Sequence, residues 1–558
     1  MRLVLACFAL VFVGLVARAV HLQVFDEEFL TGQGEARHLR VEQIAAHRGT
    51  ITDRNGEPLA VSTPVDSVWA NPRELAESGA DLTALARALD LDKADLLRRV
   101  TRSTDRTFLY LRRHMSPAAA ESVQTLHVPG VYLQREYRRY YPAGEVVGHL
   151  LGFTNVDDQG LEGLELAFDD WLTGTPGSKR VLRDRFGRTV EDVESIEPPS
   201  PGRTLVTSID LRIQYLTYRA LKAAVQDNHA RSGSVVVLDV TTGEVLAIAN
   251  QPGFNPNDRE QYTASRYRNR AVTDIFEPGS SFKTLVMAAA LESGRYQPDT
   301  PIDTTPLIVG PKLIEDKHDL GIVDATTVLA KSSNVGMTKI ALSLEREQLW
   351  SVLAQLGFGQ LTASGFPGES AGLLVRHTHW SPVSVATLSY GYGVSVTPLQ
   401  LAQAYAVVAS GGMHRPISFV REEHPPRAER VLSEHSMQEL TSMLEAVVSV
   451  EGTGVRAAVP GYRVAGKTGT ARKSQVGGYA DNRYVAVFAG FAPVTRPRVV
   501  IIVVIDEPSA GIYYGGEVAA PVFSSVMAGA LRVLAVAPDT TLTPPLVLAH
   551  APLEAGAP

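Results

Sequence analysis

Hydrophobic and polar positions alternate in different ways along this chain, and each pattern predicts a different element. Residues 3–17 are apolar without interruption and lie between Arg2 and Arg18. A membrane-spanning helix needs roughly 20 apolar residues. Arg18 can snorkel to the interface, so Ala19, Val20 and Leu22 extend the run. Residues 1–22 are therefore expected to form a retained N-terminal anchor, one transmembrane helix with membrane contact over residues 3–22. Ala17-Arg18-Ala19 also has the small-x-small form of a signal-peptidase site, so a cleaved signal is the alternative reading. Either way the rest of the chain is exported.

From residue 23 to 202 the pattern is mixed. Asn55-Gly56 stands between two short strand-like runs and predicts a hairpin. Helical periodicity appears over 82–89 and 117–126, and a further helix is expected from Gly160 through Trp171. No cluster of reactive side chains accompanies these elements, so residues 23–202 read as an elongated α/β supporting domain, a pedestal. Pro198, Pro199 and Pro201 with Gly202 mark a joint.

The second domain is expected over 203–538. A helix over 211–224 precedes two strand-like runs, 234–240 and 244–248, that flank Thr241-Thr242-Gly243. The run 282–291 lacks Gly and Pro and is apolar on nearly every face, which predicts a buried helix. A mostly helical stretch over 325–450 follows, then strands at 463–470, 484–490 and 499–505, and a helix over 520–534. Two strands early and three late, framing a helical middle, give an α+β domain with an antiparallel sheet. Residues 539–558, rich in Pro, Ala and Leu, are expected to be a disordered tail. The polar, glycine-bearing stretch 473–484 is expected to be a mobile loop that orders on ligand binding.

Composition narrows the functional classes. The 558 residues require more than one domain, and 45% hydrophobic with 20% charged residues is ordinary for folded protein. The net charge of -7 is dispersed, with no basic block, which argues against nucleic acid as a partner. Cys7 is the single cysteine, so neither an intrachain disulfide nor a cysteine metal site can form. No metal or other cofactor is implied.

Three short motifs carry the candidate chemistry. Ser280-Ser281-Phe282-Lys283 opens the apolar helix, with Lys283 one turn beyond Ser280. A helix start offers unpaired N–H groups to an oxyanion, and burial favours a neutral lysine that can act as a base. Alone, this pattern is weak and far more often marks a capped helix with a surface lysine. Ser332-Ser333-Asn334 lies between two helical runs, and Lys467-Thr468-Gly469-Thr470 ends a strand. In this order the three match the set found in penicillin-binding proteins and β-lactamases. Ser280 is then the nucleophile, Lys283 its base, and Ser332 a proton relay. Asn334 is a donor to a substrate carbonyl, and Lys467 is a source of positive potential. Thr468 and Thr470 can bind a carboxylate, Gly469 can admit the substrate closely, and the backbone N–H groups of Ser280 and Thr470 form the oxyanion hole.

On these motifs the sequence resembles the class B penicillin-binding proteins, most closely the cell-division transpeptidases of the penicillin-binding protein 3 type. The resemblance also rests on Arg48-Gly49, Asp53-Arg54-Asn55-Gly56, Tyr140-Tyr141-Pro142, Gly160 to Glu165, Tyr390-Gly391-Tyr392-Gly393 and Tyr514-Gly515-Gly516. It implies one inner-membrane anchor, a non-catalytic dimerisation-like pedestal and a periplasmic transpeptidase domain with a five-stranded antiparallel sheet flanked by helices. It further implies crosslinking of septal peptidoglycan through D-alanyl-D-alanine stem peptides, acylation of Ser280 by β-lactams, and Tyr392 beside the active site. The partners it implies are a lipid-II-polymerising glycosyltransferase and other divisome proteins. A D,D-carboxypeptidase or β-lactamase-type hydrolase, and a penicillin-binding sensor or scaffold, are the alternatives. The E-x-x-L-N segment of class A β-lactamases is absent from this sequence.

Two motifs read as decoys. Gly368-Glu369-Ser370-Ala371-Gly372 has the nucleophile-elbow pattern, but Gly365-Phe366-Pro367 precedes it where a buried strand is needed. His377-Thr378-His379 has strand spacing for two metal ligands without a third nearby.

Overall fold

The computed structural model describes residues 2–21, 39–183, 189–475 and 477–540. Arg2–Val20 is helical, with Leu5, Phe8 and Leu10 exposed. Among the described residues, no helix is long and apolar enough to cross a membrane.

The first domain is built on Pro58–Ala70, which pairs antiparallel with both Leu109–Met115 and Val131–Tyr140. The expected hairpin is present: Ile51 pairs with Ala60, and Gly56 turns the chain with φ +92°. Leu205–Val206, beyond the proline joint, lies parallel to Ile51–Thr52 and extends the same sheet. Helices Leu82–Ala88 and Pro117–Gln124 form where the periodicity predicts them, and Leu85 and Val123 pack on Val68 and Leu111. The single helix expected from Gly160 to Trp171 is instead two, Gly163–Ala167 and Asp169–Leu172, separated at Phe168, which leaves helical geometry at φ -118° and ψ 28°.

A buried charge cluster ties this domain together. Glu165 accepts from Arg48 Nε at 2.8 Å and from Arg139 Nε at 2.6 Å, and Arg48 also reaches Asp169 at 2.7 Å. All three residues of the Arg48–Glu165–Arg139 group are nearly inaccessible. Removing the carboxylate takes from Arg139 the counter-charge it has among the described residues and leaves Arg48 with Asp169. Glu165→Ala is therefore expected to destabilise the domain by about 3–5 kcal/mol, read as a lowered midpoint in urea unfolding.

The main sheet of the second domain has five antiparallel strands: β1 (Ser232–Asp239), β2 (Val245–Gln251), β3 (Ala465–Gln475), β4 (Gly478–Ala492) and β5 (Val499–Asp506). Their spatial order is β2-β1-β5-β4-β3, so β3 is an edge strand with one neighbour. Both faces are covered. Val235, Val237, Ile501 and Val503 pack against α1 (Leu211–Asp227) and the last helix, Ala520–Val533. Val236, Leu238, Val500 and Ile502 face α2 (Lys283–Glu292) and the helical middle of the chain. Because consecutive strand residues point to opposite faces, burial on both sides explains why β5 is apolar almost throughout.

Residues 473–475 and 478–484 are strand, not loop. They prolong β3 and β4, with Ser474 opposite Tyr479 and Gln475 opposite Gly478. Ser474, Gln475 and Tyr479 are all exposed, so the strand has no apolar alternation to reveal it. Residues 377–379 are a 3-10 turn rather than a strand, and His377 lies 5.7 Å from the Trp350 ring. Gly368 to Gly372 is a turn, with glycines at φ +72° and +64° and no helix behind Ser370. The expected disordered tail, 539–558, lies outside the described residues from 541 onward. Its first residue is held, since Asp539 accepts from Arg463 N at 2.7 Å.

Candidate active site

Ser280 lies in a 3-10 turn, Gly279–Phe282, that runs directly into α2. The helix therefore begins one residue later than its apolar pattern predicts. Gly279 has φ +56°, a left-handed conformation natural to glycine, and its N–H donates to Gly391 O at 3.2 Å. The two serines are distinguished by their contacts. Ser281 is buried, its hydroxyl donating to Pro278 O at 2.7 Å and its carbonyl accepting from Tyr405 Oη at 2.8 Å. Ser280 stays partly exposed, and no hydrogen bond holds its hydroxyl among the described residues.

Lys283 is fully buried and joins two of the motifs. Its Nζ lies 2.6 Å from Ser332 O, 2.7 Å from Asn334 Oδ1 and 3.2 Å from Ser332 Oγ. Lys467 Nζ approaches the same hydroxyl from the opposite side at 3.0 Å and donates to Thr468 O at 3.1 Å. Ser332 Oγ thus lies between two lysines that are 184 positions apart in sequence (467 less 283). Burial lowers the pKa of Lys283 well below the ordinary lysine value, the charge of Lys467 lowers it further, and Asp316 opposes both. Burial brings Lys467 down to about 7. Both lysines are thus moved toward the neutral form, and the charge of Lys467 adds to that push at Lys283. A neutral amine keeps two N–H groups, which Ser332 O and Asn334 Oδ1 occupy. Its lone pair is then free to accept a hydroxyl proton. No hydrogen bond joins Ser280 and Lys283 among the described residues, and such contacts commonly tighten only with substrate in place.

Asp316 is a site residue that motif reading missed. Its carboxylate accepts from the Ser333 hydroxyl, from Asn334 N at 2.5 Å and from Val335 N at 3.2 Å. It therefore covers the start of the helix Asn334–Ser343, together with Ser333, whose hydroxyl accepts from Gly336 N at 2.8 Å. Ser332, just before this cap, is held at φ +60°, an uncommon conformation for serine. Asp316→Ala should free this segment and slow acylation by about 10- to 100-fold, the range for a small misplacement of catalytic groups. Labelled penicillin added to the full chain gives the rate directly.

The glycine of the third motif has a different role from the one expected. A Cβ on Gly469 would lie 2.8 Å from Pro278 O and 3.1 Å from Ser281 N. Gly469 therefore admits the serine turn, not the substrate, against β3. A Cβ on Gly279 would likewise lie 3.1 Å from Thr470 O, so the serine turn and Thr470 are packed backbone to backbone. Thr468 Oγ1 pairs with Thr453 Oγ1 at 2.8 Å, and Thr470 Oγ1 accepts from Gly515 N at 3.0 Å. That contact leaves the Thr470 proton free to be donated outward. Tyr392 Oη accepts from Arg472 N at 2.9 Å. Glu277 accepts from Gly393 N at 2.7 Å and Tyr479 Oη at 3.1 Å, tying the serine turn to both neighbours. Among the described residues, no group of three or more His, Cys, Asp or Glu side chains is arranged to hold a metal ion.

A serine at a turn, a buried lysine beside it and a second lysine on an edge strand define a serine acyl-transfer site. Residues 233–528 match the penicillin binding protein transpeptidase domain, and residues 43–207 match the penicillin-binding protein dimerisation domain. The chain belongs to the class B penicillin-binding proteins. It is 44% identical over 546 residues to the peptidoglycan D,D-transpeptidase FtsI of Escherichia coli strain K12, covering 97% of this chain and 93% of the relative. It is 41% identical over 547 residues to the probable peptidoglycan D,D-transpeptidase PbpC of Pseudomonas aeruginosa, covering 98% and 97%. Among solved structures, the transpeptidase domain of Burkholderia pseudomallei penicillin-binding protein 3 is 42% identical with a TM-score of 0.56, covering 60% of this chain and 98% of that one. A peptidoglycan synthetase from Bifidobacterium adolescentis is 26% identical with a TM-score of 0.72, covering 91% and 98%.

Proposed function

We propose that this chain is a septal peptidoglycan D,D-transpeptidase of the serine type. The observation that carries the reading is the convergence of Lys283 and Lys467 on Ser332 Oγ, with Asn334 bound to Lys283, which itself stands one turn from Ser280. Ser280 Oγ attacks the amide between the last two D-alanines of a stem peptide as its proton passes to Lys283. The N–H groups of Ser280 and Thr470 hold the tetrahedral oxyanion. Collapse breaks the C–N bond, and the departing D-alanine amine takes a proton relayed from Lys283 through the Ser332 hydroxyl. The product is an acyl ester on Ser280. An amine of a neighbouring stem peptide then attacks that ester by the reverse route and forms the crosslink. Asn334 orients the donor backbone, while Lys467, Thr468 and Thr470 hold its terminal carboxylate. β-Lactams enter the same path and leave a stable ester.

The apolar helix Arg2–Val20 is read as a single inner-membrane anchor, with the remainder periplasmic. Its exposed apolar side chains and flanking arginines support this. The anchor and pedestal would meet a lipid-II-polymerising glycosyltransferase and other division proteins. Labelled penicillin tests the chemistry. One long-lived adduct per chain on Ser280 is expected, rapid turnover would indicate a hydrolase, and no adduct would refute the catalytic reading. Depletion should produce filaments, and round cells would argue against a septal role.

A further inference from the structure

β3 carries Lys467, Thr468 and Thr470, yet it is an edge strand with one sheet neighbour. Its free edge is the one an acyl donor would occupy, so its position depends on how the chain enters it. That entry, Gly461 to Arg463, is fastened by the far end of the sequence. Tyr462 Oη donates to Val536 O at 2.6 Å, and Thr540 N donates to Gly461 O at 3.3 Å. Asp539 uses both carboxylate oxygens. One accepts from Arg463 N at 2.7 Å, and the other from Thr495 N at 3.2 Å and Thr495 Oγ1 at 3.1 Å. Thr495 lies in the connection between β4 and β5, so Asp539 clamps the start of the edge strand to the strand pair beside it. Arg463 is held in two further ways: its carbonyl accepts from Val494 N at 3.1 Å, and its guanidinium grips Glu445 at 2.6 and 2.5 Å.

We propose that residues 536–540 are a positioning element of the acyl-transfer site, in which Asp539 acts through Arg463 to hold β3 where Lys467 and Thr470 meet the donor carboxylate. The inference rests on the transpeptidase reading. No sequence pattern signals it, because Asp539 and Arg463 are 76 positions apart. It sets a limit on C-terminal trimming. The chain should tolerate loss of everything after Thr540 but lose acyl transfer when the cut removes Asp539.

The test compares four proteins: the intact chain, full-length Asp539→Ala, a chain ending at Thr540 and a chain ending at Pro538. Each is mixed with labelled benzylpenicillin, and adduct stoichiometry is measured beside the binding and acylation constants. Asp539→Ala and the chain ending at Pro538 should still bind one label per chain. Their second-order acylation constant should fall about 10- to 100-fold, chiefly through weaker binding, the scale of a small misplacement at a reacting site. The chain ending at Thr540 should match the intact protein. A merely structural role would reduce the fraction of chains that react and leave the constants of that fraction unchanged, and this would overturn the proposal. So would unchanged kinetics in Asp539→Ala, or equal loss in both truncations. Failure of the intact chain to acylate would instead overturn the transpeptidase reading.

Discussion

Ser280→Ala is expected to abolish covalent labelling by penicillin, while the protein keeps its fold. The substitution removes the attacking oxygen and little else, because Ser280 is partly exposed and its hydroxyl holds no structural hydrogen bond among the described residues. Ser281→Ala should behave differently. That hydroxyl is buried and satisfies Pro278 O, so its loss should cost about 1 kcal/mol of stability without removing the nucleophile. Mass spectrometry of each variant after exposure to penicillin separates the two. An adduct on Ser280→Ala would show that another group is acylated.

The second large effect is expected at Lys283. Arginine keeps a positive charge at all working pH values and cannot act as a base. Lys283→Arg should therefore slow acylation by about 10²- to 10⁴-fold, the usual contribution of general acid–base catalysis. Acylation of the native protein should also show opposed pH limbs. Lys283 works when neutral, so the rate rises with pH through its pKa, which burial places well below the ordinary lysine range. Lys467 attracts the donor carboxylate only when protonated, so binding weakens as pH rises through about 7. In Lys467→Ala the descending limb should vanish. A descending limb that persisted in that variant would assign it to another group. Normal acylation by Lys283→Arg would remove the base from the mechanism.

Elements with strong local periodicity were legible from the sequence. The apolar run behind Ser280 read as a buried helix and residues 499–505 as a strand, and the structure has Lys283–Glu292 and Val499–Asp506 there. The hairpin beyond Arg472 was not legible. A strand exposed on both sides carries no alternation, and its glycines and polar residues read as a loop. Asp316 was missed for a related reason: it lies in irregular chain, and its target begins 17 positions away at Ser333. Gly469 was assigned the right property, close approach, but the wrong neighbour, because only packing shows that the serine turn fills the space.

The sequence by itself determined the reactive groups. Ser280 and Lys283 share one face because helical geometry brings residues three apart together, and the order of the three motifs names the chemistry. Tertiary structure alone decided how those groups are tuned. The proton affinity of Lys467 is set by burial, and that of Lys283 by burial and by the charge of Lys467 beyond Ser332, which no local pattern encodes. The placement of β3 is also a long-range property, fastened by Asp539 from the other end of the domain. Local sequence records which side chains are near one another along a helix or strand. Desolvation, charge coupling and the anchoring of an edge strand depend on chain segments that meet only after folding.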